Sequence, residues 1–128
     1  LYEYVPYKNL KHNLSKMDVL VMPSNNRILR SLGGIGNIAK YTSPLKLFDY
    51  LASGKFIIAS NLKVFNEVII NNEHCMILRL KHSKWLNILN KISNNLEKIN
   101  NLKKNAFQLS KKYTYKKRAQ KLLEGLNN

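Results

Sequence analysis

The chain of 128 residues carries 22 Lys and Arg against seven Asp and Glu, a formal net charge of +15, and a single cysteine. That length suits one domain or part of one, with enough chain to bury a core. One cysteine excludes an internal disulfide and fits a reducing, cytoplasmic compartment, and apolar runs of no more than four or five residues exclude a membrane-spanning helix.

Other classes recede on the same grounds. No stretch has the charged, apolar, small-residue order of a signal peptide. Leu1 is not an initiator methionine, so the chain is expected to begin inside a longer one. His12, His74 and His82 have no metal-ligand spacing, and no metal is expected. The positive charge would attract polyanions, either nucleic acid or an anionic lipid surface. Yet 18 lysines and 18 asparagines crowd the whole chain, and basic residues cluster only at Lys111–Lys112 and Lys116–Lys117–Arg118. Compositional bias is the plain account, and an anionic membrane is the best functional use of the charge.

Taken in order, "PYKNLKHNLSKM" (6–17) puts Leu10, Leu14 and Met17 on one face of a short helix entered at Pro6. "DVLVMPS" (18–24) reads as a buried strand stopped by Pro23, and a polar loop with Gly33, Gly34 and Gly36 fills 24–42. Ser43 is a good N-cap, since its hydroxyl can accept a hydrogen bond from the first turn, and Pro44 loses nothing at the first helical position. Leu45, Phe48, Leu51 and Ala52 then repeat at helical spacing, and Gly54 is placed for a left-handed cap. "FIIA" (56–59) reads as a buried parallel strand.

Beyond it, "NLKVFNEVIINN" (61–72) predicts a helix capped by Asn61, with Val64, Phe65, Val68 and Ile69 facing inward. "HCMILRL" (74–80) is the third strand, with Cys75 as a small buried hydrophobe. From Ser83 the pattern is helical to the end. Trp85, Ile88, Leu89, Ile92, Leu96, Ile99 and Leu102 make one apolar stripe, with Trp85 in the core; Ala119, Leu122, Leu123 and Leu126 make another.

Alternating helices and strands predict an α/β fold, a partial doubly wound, Rossmann-like parallel sheet with a helical C-terminus. Such sheets bind ligands at the carboxyl ends of their strands, here after Met22, Ser60 and Leu80. The first of those loops is the longest and runs into the Ser43 cap, so function is expected there. "GIGNIA" (34–39) fits the dinucleotide fingerprint by letter. It lacks the strand directly before it and the acid about twenty residues on, so a glycine-containing active-site loop is the better reading.

At this point the residues resemble a family. "SPLKLFDYLASGKFIIASNLKVFNEVI" is similar to the donor-binding segment of GT-B glycosyltransferases, specifically glycosyltransferase family 4. That family has a helix of the form S-P-x-K-x-x-E-x-x-A-x-G before a short buried strand and a helix ending in Glu-Val. "LSKMDVLVMPS" resembles the family's strand before the donor loop, and "YTYKKRAQKLL" (113–123) its closing segment, an aromatic turn and a helix packing back across the fold. The resemblance covers nearly the whole chain in the right order.

It implies a retaining glycosyltransferase of the hexosyltransferase type, of the kind used in polysaccharide biosynthesis. Such an enzyme moves a sugar from a nucleotide diphosphate donor to a glycan or lipid-linked acceptor, without a metal or other cofactor. Ser43, Leu45 and Lys46 would offer backbone N–H groups to the diphosphate at the helix N-terminus, where the dipole favours negative charge. The Lys46 side chain could add a charge, and Asp49 would accept hydrogen bonds from the ribose hydroxyls. A solvated helix face is the plain alternative for Lys46 and Asp49. Glu67 and Asn61 also resemble family positions, though a helix-surface acid and an N-cap explain them.

The chain departs from the pattern in three ways. The family has two acids eight positions apart, and Tyr41 stands where the first should be, offering a hydroxyl toward the sugar. The second acid is Asp, one methylene shorter than Glu. The family's basic diphosphate clamp and its acceptor domain lie earlier than anything in this chain. The 128 residues are therefore expected to be one partial, C-terminal donor-binding domain, inactive alone and cytoplasmic or peripheral at the membrane, with catalytic residues unassigned. A GT-B sugar-nucleotide epimerase is the rival among enzymes. Outside enzymes, the rival is a basic nucleic-acid-binding module stacking Tyr113 and Tyr115 of "KKYTYKKR" on bases.

Overall fold

The computed structural model describes residues 6–23, 45–79, 82–92 and 96–126. A 3₁₀ turn at Tyr7–Asn9 leads into α1 (Leu10–Ser15) and β1 (Val19–Met22). Then follow α2 (Leu45–Ser53), β2 (Phe56–Ser60), α3 (Lys63–Asn66), β3 (Met76–Leu78), α4 (His82–Lys91), α5 (Leu96–Ser110), a 3₁₀ turn at Lys111–Tyr113 and α6 (Tyr115–Leu126).

The three strands form one sheet in the order β1-β2-β3. Both pairings are parallel, as the alternation predicts, with Val19 beside Phe56 and Ser60 beside Leu78. β2 is central and buried at all five positions, the continuous apolar run expected of a strand covered on both faces. Its side chains divide between two clusters. Ile57 and Ala59 meet Met22, Leu47, Leu51, Phe65 and Ile69 on one face, whereas Phe56 and Ile58 meet Ile99 and Leu102 on the other. Trp85, Ile88 and Ile92 of the α4 segment, all partly buried, pack against that second cluster. α5 serves both faces, because its later residues Ala106 and Leu109 join the first cluster.

Local detail departs from the sequence reading in four places. The α1 segment buries nothing fully: Leu10 and Leu14 are half-buried and Met17 is exposed. In α2 the inward positions are Leu47 and Leu51, with Phe48 beside them, while Leu45 and Ala52 are exposed. α3 ends after four residues instead of twelve, with Leu62 and not Asn61 as its N-cap. Asn61 instead accepts a hydrogen bond at Oδ1 from Asn66 Nδ2, 2.9 Å away. Finally, α6 does not pack back across the fold: residues 115–125 are all exposed.

The shortness of α3 has a physical cause. Inward-facing Phe65 and Ile69 are satisfied within one turn and a bend, after which the chain must reverse to begin β3. Asn72 takes a left-handed φ of 61° and donates its N–H to Cys75 O at 2.8 Å, while Asn71 bridges to Cys75. Asparagine tolerates that conformation better than most residues. Gly54, with φ 64°, closes α2 in the left-handed cap that its sequence position predicts.

Candidate functional site

α2 joins the carboxyl end of β1 to the amino end of β2, so its first turn lies toward the carboxyl edge of the sheet. Burial of Leu47 and Leu51 fixes its rotation, because the two are one helical turn apart and both are fully enclosed. Each such leucine contributes about 1.5–3 kcal/mol through apolar burial. With that stripe inward, Leu45, Lys46 and Asp49 fall together on the opposite side. Leu45 is 67% exposed and Lys46 is exposed, whereas Asp49 is half-buried. The exposed Leu45 side chain leaves its backbone N–H as the group of chemical interest there. The first N–H groups of a helix have no intrahelical partner.

Asp49 has a partner absent from the sequence reading. Tyr7 donates its phenolic hydrogen to Asp49 Oδ1 at 3.2 Å, across 42 residues of chain. The carboxylate charge, together with that hydrogen bond, holds the Tyr7 phenol above its usual pKa of 10.0, and Tyr115 adds a smaller push in the same direction. Tyr50, next to Asp49 in the helix, is raised first by burial and then by the Asp49 charge. Asp49 is thus an acid rimmed by phenols and already accepting an O–H hydrogen bond. Nothing in the local pattern pairs residues 7 and 49, since only the packing of the α1 segment against α2 joins them.

The closing segment meets α2 as well. The Tyr113 ring lies 5.0 Å from Phe48 at a 43° tilt, and the Phe107 side chain lies 3.9 Å from where a Gly54 Cβ would stand. Thr114 caps α6, its Oγ1 accepting a hydrogen bond from the Lys117 N–H at 3.3 Å. The "aromatic turn, then helix" reading of 113–123 is therefore present, although the helix itself stands free of the sheet.

Of the five predicted donor-binding residues, Leu45, Lys46 and Asp49 share one face of α2. Tyr41 and Ser43, the loop 24–42 and its "GIGNIA" stretch lie outside the described residues. An open cleft of about 480 Å³ lies elsewhere, lined by Asn61, Asn66, Ile69, Ile70, Asn71, Ile77 and Arg79. Leu45, Lys46 and Asp49 do not border it, whereas Asn61, which resembles a family position, does. Its amides largely serve the fold: Asn61 and Asn66 bond each other, and Asn71 Oδ1 accepts the Ile77 N–H at 2.8 Å.

The remaining polar candidates have structural partners or surroundings. Cys75 is fully buried, and burial pushes its thiol up to about 12. His74 Nδ1 accepts the Ile70 N–H at 3.1 Å, and its Nε2 is 3.4 Å from Glu73 Oε1. Glu67 is an exposed residue at the end of α3. Trp85 Nε1 is buried without a hydrogen-bond partner among the described residues. Among those residues no three His, Cys, Asp or Glu side chains converge as a metal site would require, and no helix is long and apolar enough to cross a membrane.

The described residues define an α/β fold with a three-stranded parallel sheet. No protein-family model matches the chain, and no curated protein matches it.

Proposed function

We propose that this chain is the donor-binding part of a retaining GT-B glycosyltransferase that transfers a sugar from a nucleotide diphosphate to a glycan or lipid-linked acceptor. Its acceptor domain and diphosphate clamp belong to a longer protein working on cytoplasmic nucleotide-sugars. The observation that carries the proposal is the α2 face. A helix leaving the carboxyl edge of a parallel sheet presents Lys46 and Asp49 on one side, and Asp49 already accepts a hydroxyl hydrogen bond.

The chemistry follows from that arrangement. Negative charge grows on the diphosphate as the glycosidic bond breaks, and the N–H groups of the first α2 turn with the helix dipole favour it. Lys46 adds a flexible cation. Asp49 takes the ribose, because a carboxylate only accepts hydrogen bonds and vicinal hydroxyls donate them. Tyr7 in this reading occupies Oδ1 until the ribose arrives, leaving Oδ2 for the first contact.

Of the two rings the nucleic-acid reading uses, Tyr113 packs against Phe48 and Tyr115 is exposed. A panel of nucleoside diphosphates and their sugar conjugates, titrated against the chain by ligand-observed NMR, tests the proposal. Saturable binding of one nucleotide series, competed by the diphosphate alone, is expected. Binding of oligonucleotides in place of every nucleoside diphosphate would refute it.

A further inference from the structure

The donor site leaves one conspicuous surface unused. α6 runs from Tyr115 to Leu126, and every side chain from 115 to 125 is exposed. Tyr115 is 88% exposed, Leu122 64% and Leu123 62%. At 100° per residue these three fall with Ala119 on one narrow stripe of the helix. Lys116 and Arg118 then flank the stripe on its two sides, and Lys117 and Lys121 occupy the far face. Lys111 and Lys112 stand exposed in the turn just before it.

We infer that α6 is an interfacial helix that lies on an anionic lipid surface, with Tyr115, Ala119, Leu122 and Leu123 against the acyl boundary and Lys116 and Arg118 among the headgroups. An apolar stripe bordered by cations is the pattern of helices lying in the plane of a membrane interface. Long basic side chains let their stems follow the apolar surface while the charges reach phosphates. Charge complementarity selects this occupant over the others. Self-association through α6 would bring together two helices, each with four cations and one acid and with Lys116 and Arg118 at the seam, within a chain of net charge +15. Nucleic acid would neutralise the cations but has no apolar surface for two adjacent leucines. The inference is independent of the donor-site reading.

Co-sedimentation of the whole chain with phosphatidylcholine vesicles, with and without roughly one-third phosphatidylglycerol, tests it. Binding is expected to the anionic vesicles and not to the neutral ones. Each basic residue removed, as in Lys116→Gln or Arg118→Gln, should weaken it by about fivefold. Leu122→Gln with Leu123→Gln keeps the net charge and should weaken binding by at least about tenfold. Because none of residues 115–125 belongs to either core cluster, these variants should keep the wild-type circular dichroism and melting transition. Undiminished binding by the double leucine variant would mean that diffuse charge alone holds the chain, and would overturn the inference. Failure of the wild-type chain to bind anionic vesicles would overturn it too, as would a concentration-dependent dimer that the double leucine variant abolishes.

Discussion

Asp49→Ala separates a ligand contact from a structural one. The Tyr7–Asp49 hydrogen bond is long for O–H···O at 3.2 Å, and Tyr7 is 73% exposed, which makes it a small contributor to stability. Replacing Asp by Ala inside a helix returns about 0.5 kcal/mol of propensity. The two nearly cancel, so urea unfolding should give a stability within about 0.5 kcal/mol of wild type. Donor affinity should behave differently. Losing a hydrogen bond from a ribose hydroxyl to an ionised acceptor costs about 1.5–3 kcal/mol, which is roughly a 10- to 150-fold rise in Kd. Tyr7→Phe frees Oδ1 and should leave affinity unchanged or tighten it by no more than about twofold. In the Asp49→Ala background it should do nothing. Lys46→Ala should cost less than Asp49→Ala, because it leaves the backbone N–H in place. Calorimetric titration of the four Tyr7/Asp49 combinations and of Lys46→Ala with the bound nucleoside diphosphate measures these affinities. Equal affinity of Asp49→Ala and wild type would refute the ribose role.

Gly54→Ala has room for its methyl group but must hold a left-handed φ of 64°, so thermal unfolding should show a loss of about 1–2 kcal/mol. Leu51→Ala empties a fully enclosed position against β2 and should cost about 3–5 kcal/mol in denaturant unfolding, far more than Leu45→Ala on the exposed face. Cys75, with its thiol pushed from 9.0 to about 12 by burial, should resist alkylation in the native protein and react in urea. A raised native pKa means that the unfolded thiol ionises first. Its contribution is complete below about pH 9 and is lost between pH 9 and 12, at up to about 1.4 kcal/mol per pH unit. Cys75→Ala should flatten that part of the stability profile, and an identical slope in the two proteins would count against the assignment.

What the sequence determined by itself was whatever depends on neighbours along the chain. The β2 run "FIIAS", the left-handed cap at Gly54 and the alternation of helix and strand are local choices of backbone conformation and apolar spacing. They carried over to a parallel three-stranded sheet. The α2 site face was partly legible for the same reason, since Leu45, Lys46 and Asp49 lie within five residues of one another and share a side of any helix drawn through them. Tertiary structure decided the rest. The spacing of 45, 48, 51 and 52 marks an apolar stripe, but the space between β1, β2 and α5 admits the face centred on Leu47 and Leu51 and leaves Leu45 outside. α3 stops early because burying Phe65 and Ile69 takes only a turn and a bend, while the next strand must start beside β2. Tyr7 meets Asp49 only because the α1 segment folds beside α2, a contact across 42 residues that no local pattern encodes. Periodicity drew the same amphipathic stripe on α5 and on α6. Only the packing showed that α5 spends its stripe on the sheet and α6 keeps its own facing outward.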